Sequence, residues 1–225
     1  MILSTQLITP PTVEPITLAQ AKLHLRVDFS DDDALITGLI TAARQYCEKR
    51  TNRAFFTQTW LRTMDFFPLY DRLDGSRNPS ERHTWPYGTW YWDKVTIDLP
   101  HNRVQSVTSI TFTGNDGVTP VTLPASTYNL DTTSIPARIA PAQGMFWPIL
   151  NNYIPGSVKI TYVAGSYGDG VTVNKCPLTI VQAILLLIGH WYEHREAASE
   201  LNIKNLPLAV DALLEIEKVH VVGYR

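Results

Sequence analysis

Between residues 101 and 175 the chain carries only seven charged side chains, and the stretch is rich in Thr, Val, Ile, Pro and Gly. Prolines punctuate it at Pro100, Pro120, Pro124, Pro136, Pro141, Pro148 and Pro155. Each proline removes a backbone donor and fixes φ, which keeps the elements there short. Short strands are what remains, many of them at sheet edges. The β-branched and aromatic runs place them at 95–99, 104–113, 118–123, 128–130, 138–139 and 157–163, with 56–64 joining from upstream. Gly114-Asn115-Asp116-Gly117, between the second and third of these, is hairpin chemistry because Asn and Gly tolerate positive φ, and antiparallel pairing follows.

The flanks read differently. Residues 1–60 hold twelve charges and 61–100 hold eleven. Thr17-Leu18-Ala19-Gln20 has capping-box spacing, so a short helix is expected over 17–25. Ser30 then precedes Asp31, Asp32 and Asp33, acids suited to the positive end of a second helix. That helix carries an apolar face of Leu35, Ile36, Leu39, Ile40, Ala43, Tyr46 and Cys47, and Thr51-Asn52 offers a left-handed exit. Helix returns at Cys176-Pro177 and is expected to run to about residue 198, apolar nearly all round in its first half. Pro207 starts a last short helix, and the residues after 217 have no core periodicity. The expected fold is therefore α+β. A helical body is formed by 1–54 and 176–225, with a β-rich antiparallel insertion at 55–175.

Composition closes off several function classes. The 225 residues are 44% hydrophobic and 18% charged, which excludes global disorder. The formal net charge is -2, so no long-range positive field draws in nucleic acid or an anionic membrane. Cys47 and Cys176 lack metal-knuckle or disulfide-framework spacing and suit a reducing interior. The N-terminus has no basic region followed by an apolar run, so no secretory signal is expected. The most apolar segment, 178–188, is interrupted by Thr179 and Gln182 and is short of a membrane span.

Three stretches invite a catalytic or ligand-binding reading. His190-Trp191-Tyr192-Glu193-His194 matches H-x-x-E-H, in which two histidines one helical turn apart bind zinc and the glutamate activates water. A small zinc hydrolase on His190, Glu193 and His194 needs a third ligand, for which Glu196, Glu200, Glu215 and Glu217 are the candidates; the plainer reading is two helix-surface histidines. The acids at 28–33 fail the calcium-loop pattern, since its sixth and twelfth positions are Asp33 and Leu39. The glycines at 165–170 fit neither a P-loop nor a dinucleotide fingerprint and read as a flexible connection. No catalytic residue, metal or cofactor is assigned.

Residues 84–92 hold three of the six tryptophans. Trp85, Tyr87, Trp90, Tyr91 and Trp92 form a candidate partner interface, aromatic side chains among arginines being the composition of interface anchors. The same residues fit packing on the loop's own sheet, or a stacking platform for single-stranded nucleic acid.

Several stretches, in order, resemble one family. Glu14-Pro15-Ile16-Thr17-Leu18-Ala19-Gln20-Ala21-Lys22-Leu23, Asp32-Asp33-Ala34-Leu35-Ile36, and Thr51-Asn52-Arg53-Ala54 with Gln58-Thr59-Trp60 are similar to the opening of phage head-tail connector proteins, the head-completion adaptors of long-tailed bacteriophages. Pro136-Ala137-Arg138-Ile139, Trp147-Pro148, residues 158–165, residues 183–197 and Leu206-Pro207-Leu208 continue the resemblance over most of 14–215. Asn52 stands where the family usually has glycine, a tolerable change at a left-handed position. The aromatic loop at 70–94 is longer than the family pattern.

The resemblance implies a structural virion protein of the neck, assembled in the host cytoplasm, and not an enzyme. It implies a homo-oligomeric ring, commonly of twelve copies, that binds the portal after DNA packaging. The ring extends the DNA channel and gives the next neck or tail protein its platform. DNA passes through the lumen without specific binding, and no membrane is involved. Portal contact is expected from the C-terminal segment, Lys218, Val219, His220, Val221, Val222, Gly223, Tyr224 and Arg225. The helical body is expected to make the ring and the β-rich middle to project from it.

Overall fold

The computed structural model describes residues 3–68, 95–101, 103–150, 154–194 and 208–219. They divide into a strand-rich unit (1–9, 59–100 and 104–163) and a helical unit (10–58, 101–103 and 164–225).

In the strand-rich unit, a sheet of five strands has the order β1 (Leu3–Thr9), β2 (Gln58–Met64), β8 (Val158–Ala164), β4 (Val104–Thr113), β5 (Pro120–Thr122). A second sheet has the order β3 (Ile97–Leu99), β7 (Ala137–Pro141), β6 (Tyr128–Asp131). β4 and β5 form the expected antiparallel hairpin, with Thr111 opposite Thr122 and Thr113 opposite Pro120. β8 shows the alternation of a strand with one buried face: Val158, Ile160, Tyr162 and Ala164 are buried while Lys159 is exposed. Trp147 stacks on Phe67 at 5.1 Å between ring centroids and donates its indole N–H to the Val95 carbonyl at 2.6 Å. The tryptophan's polar edge is thereby satisfied inside an apolar site.

Residues 3–9, expected within the helical body, instead form an edge strand. β1 pairs antiparallel with β2, from Leu3 opposite Met64 to Thr9 opposite Thr59, with an irregularity between Leu7 and Thr9. The segment Leu3-Ser4-Thr5-Gln6-Leu7-Ile8-Thr9 has no clean apolar alternation, because an edge strand with solvent on most sides needs none.

The helical unit contains α1 (Leu18–Leu25), α2 (Asp33–Thr51), α3 (Leu178–Glu193) and α4 (Leu208–Glu217). α1 opens with the expected capping box: Gln20 N–H donates to Thr17 Oγ1 at 3.2 Å, and Thr17 N–H donates to Gln20 Oε1 at 2.8 Å. α2 begins at Asp33, three residues beyond Ser30, and its N-terminal acids do not cap it. They tie the helix to its neighbours instead. Asp32 accepts from the Tyr192 hydroxyl at 2.5 Å and Asp33 pairs with Lys22 at 2.6 Å. Asn52 closes α2 in the left-handed region at φ 54, as its sequence position requires. α3 ends at Glu193, earlier than expected, where His194 leaves helical geometry.

The core of this unit is a contiguous cluster. Ile36, Ile40, Ala43 and Cys47 of α2 lie in it with Ile180, Ala183, Ile184, Leu187 and Ile188 of α3, joined by Phe55, Phe56, Val210 and Leu214. The glycine-rich segment after β8 is not a loose connection. Ser166 N–H donates to the Ala54 carbonyl and Tyr167 N–H to the Phe55 carbonyl, both at 2.8 Å, while Thr57 N–H donates to the Gly168 carbonyl at 3.0 Å. Gly168 sits at φ +97, and a Cβ there would lie 2.2 Å from the Val173 carbonyl oxygen, so only glycine fits.

Candidate functional site

The last described residues are held by the C-terminal end of α2. A left-handed cap turns the chain away and leaves the Thr51 carbonyl outside the helix's own ladder. That carbonyl accepts the Val219 N–H at 2.9 Å, and the Asn52 amide donates to the Val219 carbonyl at 3.4 Å. Arg53 Nε donates to the carbonyl of Glu217, the final residue of α4, at 2.6 Å. The Glu217 carboxylate accepts from the Tyr167 hydroxyl and from Thr179 Oγ1, each at 3.1 Å. Arg50 pairs with Asp211 at 3.0 Å. Of the residues assigned to the portal from sequence, Val219 is only 7% exposed and Lys218 pairs with Glu215 at 3.0 Å. His220, Val221, Val222, Gly223, Tyr224 and Arg225 lie outside the described residues.

Beneath this root is a buried polar hub. Arg44, 2% exposed, donates from Nε to Glu14 at 2.8 Å and from Nη1 to Glu48 at 2.6 Å. The other Glu48 oxygen accepts the Phe55 N–H at 2.8 Å and the Gln58 amide. Burial pushes the Glu48 carboxyl above its ordinary range, against the opposing pull of Arg44, the Phe55 N–H and Gln58. The hub ties together the segment before α1, the end of α2 and the start of β2. Its charges are spent on one another, which marks it as structural. Burial also pushes the Cys47 and Cys176 thiols up to about 12, far from the range of a reactive thiolate.

The H-x-x-E-H pattern falls on the last turn of α3. His190 and His194 have ring centroids 4.8 Å apart, and His194 Nδ1 lies 2.9 Å from the His190 carbonyl. Trp191, between them in sequence, packs edge-on against Tyr46 at 6.2 Å. Glu215 is engaged with Lys218 and Glu217 with Tyr167 and Thr179, while Glu196 and Glu200 lie outside the described residues. Among the described residues no three His, Cys, Asp or Glu side chains group as a metal site, and no helix is long and apolar enough to cross a membrane.

Trp85, Tyr87, Trp90, Tyr91 and Trp92 all lie outside the described residues. Some exposed apolar side chains that the sequence patterns do not mark lie in the strand-rich unit. With Trp147 buried, its neighbours Phe146 and Ile149 stand 84% and 65% exposed. The signal for them was the absence of any charge between Arg138 and Lys159. The residues holding the C-terminal root were missed for another reason. Arg53 was read only as part of the family pattern, and nothing local says that its guanidinium reaches a carbonyl 164 residues away in sequence.

Comparison with known proteins brings these observations to one family. Residues 15–81 match the model of the phage gp6-like head-tail connector proteins. No curated protein matches the chain in sequence. Among solved structures, a chain from the neck of an empty gene transfer agent particle, computed with C6 symmetry, is 22% identical with a TM-score of 0.68; 100% of this chain and 99% of that one are covered. A chain of the native gene transfer agent virion, and one of the native neck computed with C12 symmetry, are each 23% identical with a TM-score of 0.65 and the same coverage. Residues 15–81 are thus similar to the phage gp6-like head-tail connector proteins, and the whole chain shares the fold of the gene transfer agent chains it matches.

Proposed function

We propose that the chain is a structural subunit of a phage-type virion neck, a head-tail connector that assembles as a ring on the portal after DNA packaging. The ring extends the DNA channel and offers the docking platform for the next neck or tail protein. The observation that carries this reading is the end-to-end match to neck chains, 100% of this chain against 99% of that one, joined to the connector family match at 15–81. Symmetry supports a ring, since a similar chain comes from a neck computed with twelvefold symmetry. Near-neutrality supports a conduit: a wall that bound phosphates strongly would hold the DNA that must slide past it.

Portal contact is assigned to the residues after Val219, because Val219 itself is taken up against α2. Truncation after Val219 is expected to abolish co-elution with its candidate portal protein while leaving the thermal unfolding transition in place. Unchanged co-elution would contradict the assignment.

A further inference from the structure

We infer that the C-terminal end of α2, with Arg53 at its centre, is a positioning clamp that sets where the portal-binding tail leaves the body. The inference rests on the connector reading above and goes beyond it by naming residues that act on the root of the tail. Glu217 and Val219 are held from three separate places in the chain: residues 51–53, Tyr167 and Thr179. Arg53 caps the Glu217 carbonyl, Tyr167 and Thr179 hold the Glu217 carboxylate, and Thr51 and Asn52 take the backbone N–H and C=O of Val219. The final carbonyls of a helix lack intrahelical partners, and a guanidinium is a strong donor to one of them.

Two features separate this from ordinary helix capping. The Thr51 carbonyl and Val219 N–H pair beyond the end of α4, so what is fixed is the departing chain as well as the helix. The Val219 side chain is buried, so the exit point is pinned on its apolar side too. Fixing the root of a binding segment beforehand removes part of the ordering cost on binding.

The test uses the full chain and its candidate portal protein, with two readouts: portal affinity, and hydrogen exchange across 217–219. Arg53→Ala is expected to speed exchange at Lys218 and Val219, leave α2 and α3 protected, and weaken portal binding roughly tenfold. Arg53→Lys is expected to restore part of both. Glu217→Ala, which releases the same residues from the Tyr167 and Thr179 side, should act in the same direction and serves if Arg53→Ala fails to fold. Portal affinity unchanged in Arg53→Ala or Glu217→Ala, while truncation after Val219 abolishes binding, would overturn the clamp alone. Binding that survives the truncation would overturn the tail assignment and the clamp with it.

Discussion

At the scale of single residues, the polar side chains of this protein serve chiefly as ties between backbone segments. Two identical turns show it. Asp116-Gly117-Val118-Thr119 and Asp169-Gly170-Val171-Thr172 each place an aspartate that accepts from backbone N–H groups two and three residues on, and from the threonine hydroxyl. The Thr172 hydroxyl and the Val173, Val171 and Thr172 N–H groups hold the Asp169 carboxyl down, from 3.8 to about 2. A depressed folded-state value means that this turn's contribution is present above pH 3.8 and lost as pH falls through about 2. In Asp169→Asn that titration is gone, so the drop in urea midpoint between pH 6 and pH 2.5 should be smaller than in the unsubstituted chain. An equal drop would show that the turn does not sense acid. Lys22, Asp32, Asp33 and Glu217 are likewise engaged with intramolecular partners.

At the scale of elements, stability of the helical unit rests on α2 against α3. Leu187 is fully buried at the middle of α3, and Leu187→Ala should cost about 2–5 kcal/mol, read as a lower denaturant midpoint at unchanged slope. A cost within about 0.5 kcal/mol, as at a surface site, would contradict the core described here. Most elements were legible because their signals are local. The capping box of Thr17 and Gln20, the left-handed Asn52, the Asn115-Asp116-Gly117 hairpin and the alternation of β8 each follow from a few neighbouring residues. What escaped depends on distant partners. β1 exists because β2 offers it an edge, α2 starts late because Tyr192 and Lys22 take its acids, and the glycine-rich segment is ordered by residues 54–57. The candidate site divides the same way. Lack of core periodicity marked the C-terminal segment, whereas Arg53 and Thr51 became visible only once α2 and α4 were in place.

For the whole molecule, the central claim is assembly. The fold matches neck chains over its full length, and in the proposed ring a near-neutral subunit would let DNA pass without holding it. Contacts in such a ring are heterologous, so each copy would present two different, complementary faces, and closure would depend on the angle between them. A portal ring of fixed symmetry can supply that angle to subunits that are single in solution. Electron microscopy of the purified chain mixed with its candidate portal protein tests this most directly. The expected result is a closed ring of this chain stacked coaxially on the portal, with an open central channel. Portal particles left bare at saturating concentrations of the chain, or decorated without rotational symmetry, would contradict the account.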